Sequence, residues 1–266
     1  MDLILRAIAL LLISVLLDST FSPAQARQFR RKSAANSAVE LVEEGQSQAA
    51  QGNFHEAIRS YTRALEVDPN FAEAYIRRGT AHHDIGDFER AIADFTQALA
   101  VDPNNAVAYS SRGEARTHLG DLNGAIADLT QAIELDAGYE LAYTIRGTLY
   151  SVQGNLEQAM QDFDQAVAVN PSSPLVYYNR GRAHTDLGQA DAAIADYTEA
   201  IAIDPTMAAA YGNRGLLYAQ LGERQLALRD LQQAAELFDE QGDQPGYEET
   251  LYYLEQVEEM EPAPVP

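Results

Sequence analysis

The chain has 266 residues, a formal net charge of −22, 46% apolar residues and no cysteine. A polyanion of that strength is repelled by nucleic acid and by anionic lipid, so neither is an expected partner. Without cysteine there are no disulfides, no cysteine-bound metal and no thiol chemistry.

The first 26 residues, MDLILRAIALLLISVLLDSTFSPAQA, differ in kind from the rest. Arg6 precedes an apolar run from Ala7 to Leu17, and Ala24-Gln25-Ala26 has the small-x-small pattern of a processing site. This is the layout of a secretory signal peptide cut after Ala26, which places the mature chain outside the cytoplasm, in a periplasm or lumen. The apolar run is shorter than the roughly 20 residues that span a bilayer. Asp2 and the basic residues Arg27, Arg30, Arg31 and Lys32 depart from the pattern, and the alternative is an uncleaved membrane anchor. Residues 27–37, RQFRRKSAANS, read as a basic, poorly ordered linker.

From Ala38 onward the sequence repeats with a period of 34 residues. Six repeats cover 38–71, 72–105, 106–139, 140–173, 174–207 and 208–241. Position 15 is glycine throughout (Gly52, Gly86, Gly120, Gly154, Gly188, Gly222), as a helix end in the left-handed region requires. Proline at position 32, preceded by Asp or Asn, stops a second helix in four repeats. Ala137 and Asp239 replace it in repeats three and six. Each repeat is therefore predicted to be two antiparallel helices joined by a tight turn. Residues equidistant from that turn lie level with one another. Glycine at position 8 then makes room for the ring or Leu at position 24, and alanine at position 20 for the larger residue at position 11.

The aromatic at position 4, glycine at 8, alanine at 20 and 27, aromatic at 24 and proline at 32 resemble the tetratricopeptide repeat family, over 204 of 266 residues. The resemblance implies an all-α solenoid, wound as a right-handed superhelix with a concave groove, that binds other proteins without chemistry. Residues 242–260 read as an acidic capping helix with an apolar stripe of Tyr247, Leu251, Leu254 and Val257. Residues 261–266 read as a disordered tail.

Arginine at position 7 and aspartate at position 23 occur together in repeats two to six. The pairs are Arg78 with Asp94, Arg112 with Asp128, Arg146 with Asp162, Arg180 with Asp196, and Arg214 with Asp230. They are nearly level across the hairpin. A structural ion pair, within a repeat or between neighbours, is favoured over an arginine ladder gripping an acidic ligand.

By the resemblance, the groove is lined by the first helix of each repeat. Its residues are Arg77, Ser111, Glu114, Thr148, Tyr178, Asn179, Arg182 and Asn213, with Ser110, Thr117, Thr144 and Ser151 beside them. This mostly polar surface suits an extended or helical peptide. Asn179 and Asn213 resemble one element of a chaperone-tail clamp, but Val42 and Gln46 stand where that clamp needs Lys and Asn. His82, His83 and His118 raise a metal hypothesis. His82 occupies the packing position of Tyr150 and Tyr218, while His83 and His118 fall at groove positions where a solvated histidine is the default. No phosphate loop, nucleophile elbow or metal-ligand spacing is present, so no catalytic residue, metal or cofactor is expected. The sequence reads as a non-enzymatic interaction scaffold or assembly factor. The alternatives are an accessory or co-chaperone-like adaptor of an enzyme, and a binder of a basic partner through the acidic C-terminal helix.

Overall fold

The computed structural model describes residues 23–260; among them are thirteen helices and no strand. The proposed signal segment lies largely, and the C-terminal tail wholly, outside the described residues. No described helix is long and apolar enough to cross a membrane.

Repeat one supplies α1 (Pro23–Ala50) and α2 (Phe54–Val67), and repeat two supplies α3 (Ala72–Asp84) and α4 (Phe88–Val101). Repeat three supplies α5 (Ala106–His118) and α6 (Leu122–Leu135). Then follow α7 (Glu140–Val152) with α8 (Leu156–Val169), α9 (Pro174–Asp186) with α10 (Ala190–Ile203), and α11 (Ala208–Gln220) with α12 (Arg224–Gln241). A last helix, α13 (Gln244–Glu259), follows the sixth repeat. The chain divides into two compact bodies after Asp121, the first holding α1–α5 and the second α6–α13. Within each body consecutive helices pack on one another, and first helices of successive repeats touch, as α3 does α5 and α7 does α9.

Two devices end the helices. The glycine at position 15 has φ between 70° and 79° in all six repeats, a conformation that carries little cost for glycine alone. The residue after it donates its N–H to the carbonyl of position 11, as Asp87 does to His82 at 2.8 Å and Asn155 to Tyr150 at 2.8 Å, satisfying the last turn. At the other end, the Asp or Asn at position 31 accepts the N–H of the residue two further on. Asp68 binds Asn70, Asp136 binds Gly138 and Asp204 binds Thr206, at 2.9–3.0 Å. Asp136 does this without the proline of the other repeats. Repeat six has Phe238 at position 31 and Asp239 at 32, and α12 accordingly runs on to Gln241.

The core follows the level-pair rule. Alanine at position 20 is fully buried in every repeat, as is alanine at position 27. A Cβ on Gly181 would stand 2.8 Å from Tyr197 Cε1, and one on Gly79 would stand 2.9 Å from Phe95 Cε1. These two glycines therefore leave room for a ring to lie across the helix.

Two sequence expectations change. Residues 27–37, read as a linker, are helical backbone within α1. Nothing between Pro23 and Gly45 breaks a helix, and Arg, Gln, Lys and Ala all favour one. On α13, Leu251 is exposed, and the face turned to α12 instead carries Gly246, Thr250, Tyr253, Leu254 and Val257. Thr250 can be buried because its hydroxyl donates to the Gly246 carbonyl at 2.7 Å.

Candidate functional site

Within the two bodies, four of the arginines at position 7 make two-pronged ion pairs with the aspartate of their own hairpin. Arg78 donates Nε–H and Nη2–H to Asp94 at 2.8 and 2.7 Å. Arg146 binds Asp162, Arg180 binds Asp196 and Arg214 binds Asp230 in the same way, with distances between 2.6 and 3.1 Å. The carboxylates are buried. The hydrogen bond donated to the partner carboxylate holds the Arg78, Arg146 and Arg180 guanidinium groups above their ordinary pKa, against the opposing effect of burial.

The third prong reaches the preceding repeat. Nη1 of Arg78, Arg112, Arg146 and Arg214 donates to Thr62, Thr96, Thr130 and Thr198 at 2.9–3.1 Å. Arg180 finds Asp164 there, at 2.8 Å. Each of the five guanidinium groups also lies 5.5–5.9 Å from the ring of the tyrosine three residues before it. In the four pairs one side chain thus ties its own hairpin, the previous hairpin and its own helix together, engaging Nε and both terminal nitrogens in the scaffold. This second half of the linkage was not read from the sequence; the threonine recurring at position 25 is the signal that could have suggested it.

The predicted groove residues of the second body come together along α7, α9 and α11. Thr148, Ser151, Val152, Asn179, Arg182 and Asp186 border a recess of about 140 Å³. Arg182 and Asp186 also border a second recess of about 230 Å³, with Asn213, Leu216 and Gln220. Asn213 and Leu216 pass into a third of about 210 Å³, whose far wall is Glu249, Thr250 and Tyr253 of α13. Because neighbours share lining residues, the three form one trough running from repeat four to the last helix. Its lining mixes polar and apolar groups at both ends, with Thr148, Asn179 and Arg182 at the repeat-four end and Leu216, Phe238, Glu249 and Tyr253 at the other.

Tyr178 is anchored in this trough. Its hydroxyl accepts from Asn213 Nδ2 at 3.3 Å, Arg182 lies over its ring at 6.0 Å, and the ring tilts against Tyr197 at 6.0 Å. Burial pushes the Tyr197 phenol up to about 12, opposed by a hydrogen bond with Thr185. Asn179 is half-buried and Arg182 exposed on the same wall. Ser110 and Thr144, placed in the groove by sequence, are instead buried. Their position faces the neighbouring helices, and the larger Ile76 and Tyr178 there are half-buried. The part played by α13 and by Leu216 and Asp186 was not apparent in the sequence, because it depends on where the sixth repeat ends.

In the first body, Arg77 is exposed and paired with Glu73 of its own helix at 3.0 Å, while Ser111 and Glu114 are half-buried on α5. His82 is buried in the packing position expected for it, with Nδ1 lacking a hydrogen bond and 3.9 Å from Asp87. Desolvation lowers its pKa. His118 is exposed, as the spacing suggested, whereas His83 is half-buried. Their rings meet edge to face at 5.2 Å, Phe88 stacks on His118 at 4.3 Å, and Glu114 adjoins both histidines.

Models of the tetratricopeptide repeat match residues 42–93, 76–140, 147–188, 181–222 and 208–240. No curated protein matches the chain significantly. Among solved structures, MamA is 28% identical with a TM-score of 0.56, over 60% of this chain and 94% of its own. PilF of Pseudomonas aeruginosa is 19% identical with a TM-score of 0.71, over 84% of this chain and 99% of its own. YrrB, described as a TPR protein with an unusual peptide-binding site, is 23% identical with a TM-score of 0.56, over 73% and 96%. The fold of these proteins is that of the helix pairs described above. Taken with repeat matches that run almost without interruption from residue 42 to 240, this makes the chain a member of the tetratricopeptide repeat family.

Proposed function

We propose that the chain is a non-catalytic scaffold that holds a segment of a partner protein in the trough of its second body. The observation that carries this reading is the continuity of the trough from Thr148 to Tyr253. Asn179, Arg182 and Asn213 offer donors to a peptide backbone, and the recess beside Leu216, Phe238 and Tyr253 has room for one side chain with apolar surface. Arginine that could have bound an acidic ligand through position 7 is occupied in the scaffold. A segment carrying hydrogen-bonding groups and a single apolar anchor fits better than an acidic tail.

The second reading, a basic partner on the acidic helix, draws on Glu248, Glu255, Glu258 and Glu259, all exposed on α13. Affinity capture from native extract separates the two. Loss of the partner on Arg182→Glu, with retention when those four glutamates become glutamine, supports the trough. The reverse pattern, with binding abolished by about 0.5 M salt, supports the acidic face. Partners indifferent to both changes overturn both readings. Export with cleavage after Ala26 belongs to the same proposal, and the mass of the mature N-terminus in the native cell tests it.

A further inference from the structure

We infer that His83, Glu114 and His118 form a binding site for a divalent transition-metal ion of the zinc class. Glu114 and His118 are four residues apart on α5 and so project from the same face. His83 comes from the last turn of α3, which packs directly on α5 within the first body. One ligand atom from each of the three lies within 4.8 Å of the others. Two imidazoles and one carboxylate are the donor set of open, three-ligand zinc sites, in which a water or an outside ligand completes the tetrahedron. Magnesium and calcium prefer all-oxygen cages and fit this set poorly.

The surroundings supply more than proximity. His83 Nδ1 is 3.9 Å from Asp84 Oδ1, while its Nε2 is buried and has no hydrogen-bond partner. A buried nitrogen without a partner is uncommon and calls for an explanation, and a metal bond at Nε2 provides one. Asp84 stands on the Nδ1 side of the ring, beyond hydrogen-bond distance at 3.9 Å, and closing that gap would let its carboxylate orient the ligating histidine. Phe88 packs flat on His118 at 4.3 Å, with the planes 3° apart, and edge-on to His83 at 5.2 Å. One apolar ring thus aligns both imidazoles. Metal–ligand bonds of about 2.1 Å require ligand atoms about 3.4 Å apart in a tetrahedron. The side chains therefore have to close by roughly 1 Å on the ion, which exposed His118 and half-exposed Glu114 can do by small rotations. Sequence spacing hid the site because the two parts are joined only by the contact of α3 with α5.

The test is equilibrium dialysis of the full chain, free of any histidine tag, against Zn²⁺, together with Co²⁺ substitution read from its visible d–d bands. The result expected is one ion per chain, tetrahedral cobalt bands, and a rise in Tm on zinc addition. Each of His83→Asn, Glu114→Gln and His118→Asn is expected to weaken binding at least about tenfold and to remove the Tm rise. His55→Asn, at an exposed histidine outside the cluster, is expected to change nothing. Circular dichroism of each variant shows whether it is folded, and Glu114→Gln retains the size of the side chain it replaces. Zinc binding that is absent, that survives His118→Asn in a folded protein, or that Mg²⁺ displaces at equal concentration overturns the site. The last outcome identifies adsorption to the acidic surface instead.

Discussion

Arg180 illustrates what one residue does in this fold. Its guanidinium has three acceptor oxygens on two repeats, and its Asp196 partner is only 7% exposed. Removing one member of a buried pair costs roughly 3–5 kcal/mol, because the other is left charged and unpaired. Arg180→Ala is therefore expected to lower stability by about that amount, with Asp196→Ala costing little more in its presence. Urea denaturation of the two single variants and the double variant measures the coupling, and additive losses exclude it. Arg180→Lys is not expected to restore stability, since an ammonium cannot reproduce the fork. His82 makes a separate residue-scale prediction. Its native pKa lies below the unfolded value of about 6.5, so at lower pH the unfolded chain gains a proton that the native chain refuses. Stability should then fall as pH drops from about 6.5 towards the lowered native value, and should be independent of this group well above about pH 6.5. His82→Tyr, which installs the residue of Tyr150 and Tyr218, should remove that part of the slope, as urea midpoints between about pH 7.5 and about pH 5.5 will show.

At the scale of the element, the question is what stops each helix. Asp136 ends α6 alone, whereas Asp68 is backed by Pro69 in ending α2. Loss of such a side-chain to backbone hydrogen bond costs about 1 kcal/mol. Asp136→Ala should therefore lower Tm more than Asp68→Ala does, and equal effects would mean that the proline contributes nothing. The last helix is held at its own C-terminus by Arg224, which donates to the Val257 carbonyl at 3.0 Å and the Glu258 carbonyl at 2.8 Å. These are free acceptors at the negative end of α13, where a cation is favoured. Arg224→Ala should destabilise by about 1.5–3 kcal/mol, the range for hydrogen bonds from a charged group. Hydrogen exchange should show the loss concentrated in residues 244–259. The hairpins themselves were legible in the sequence, since glycine at position 15 and Asp or Asn at position 31 act locally. The buried face of α13 was not, because a threonine that satisfies its own backbone looks polar until it is packed.

For the whole molecule, the charge of −22 is the governing quantity. Repulsion among exposed carboxylates opposes folding and is screened by salt. Raising ionic strength from about 0.01 M to about 0.15 M shortens the Debye length from about 30 Å to about 8 Å. Tm is expected to rise across that interval, since the arginine–aspartate pairs are shielded by burial and lose little. A fall in Tm would show that exposed ion pairs outweigh the repulsion. The same charge favours any cation or basic segment that approaches, so the trough and the histidine cluster both have to be separated from simple adsorption by single substitutions.

The period of 34 residues, the glycines and the alanines settled the helix pairs, because each acts on its own turn or across its own hairpin. The sequence likewise pointed to Arg180 with Asp196, since residues level across a short turn must meet. Only packing between repeats decided that Thr62 and its equivalents complete the arginine linkage, that Ser110 and Thr144 are buried, and that α13 closes the trough. It also brought His83 onto Glu114 and His118. Contacts between successive hairpins depend on how helices stack in three dimensions, and no spacing along the chain encodes that distance.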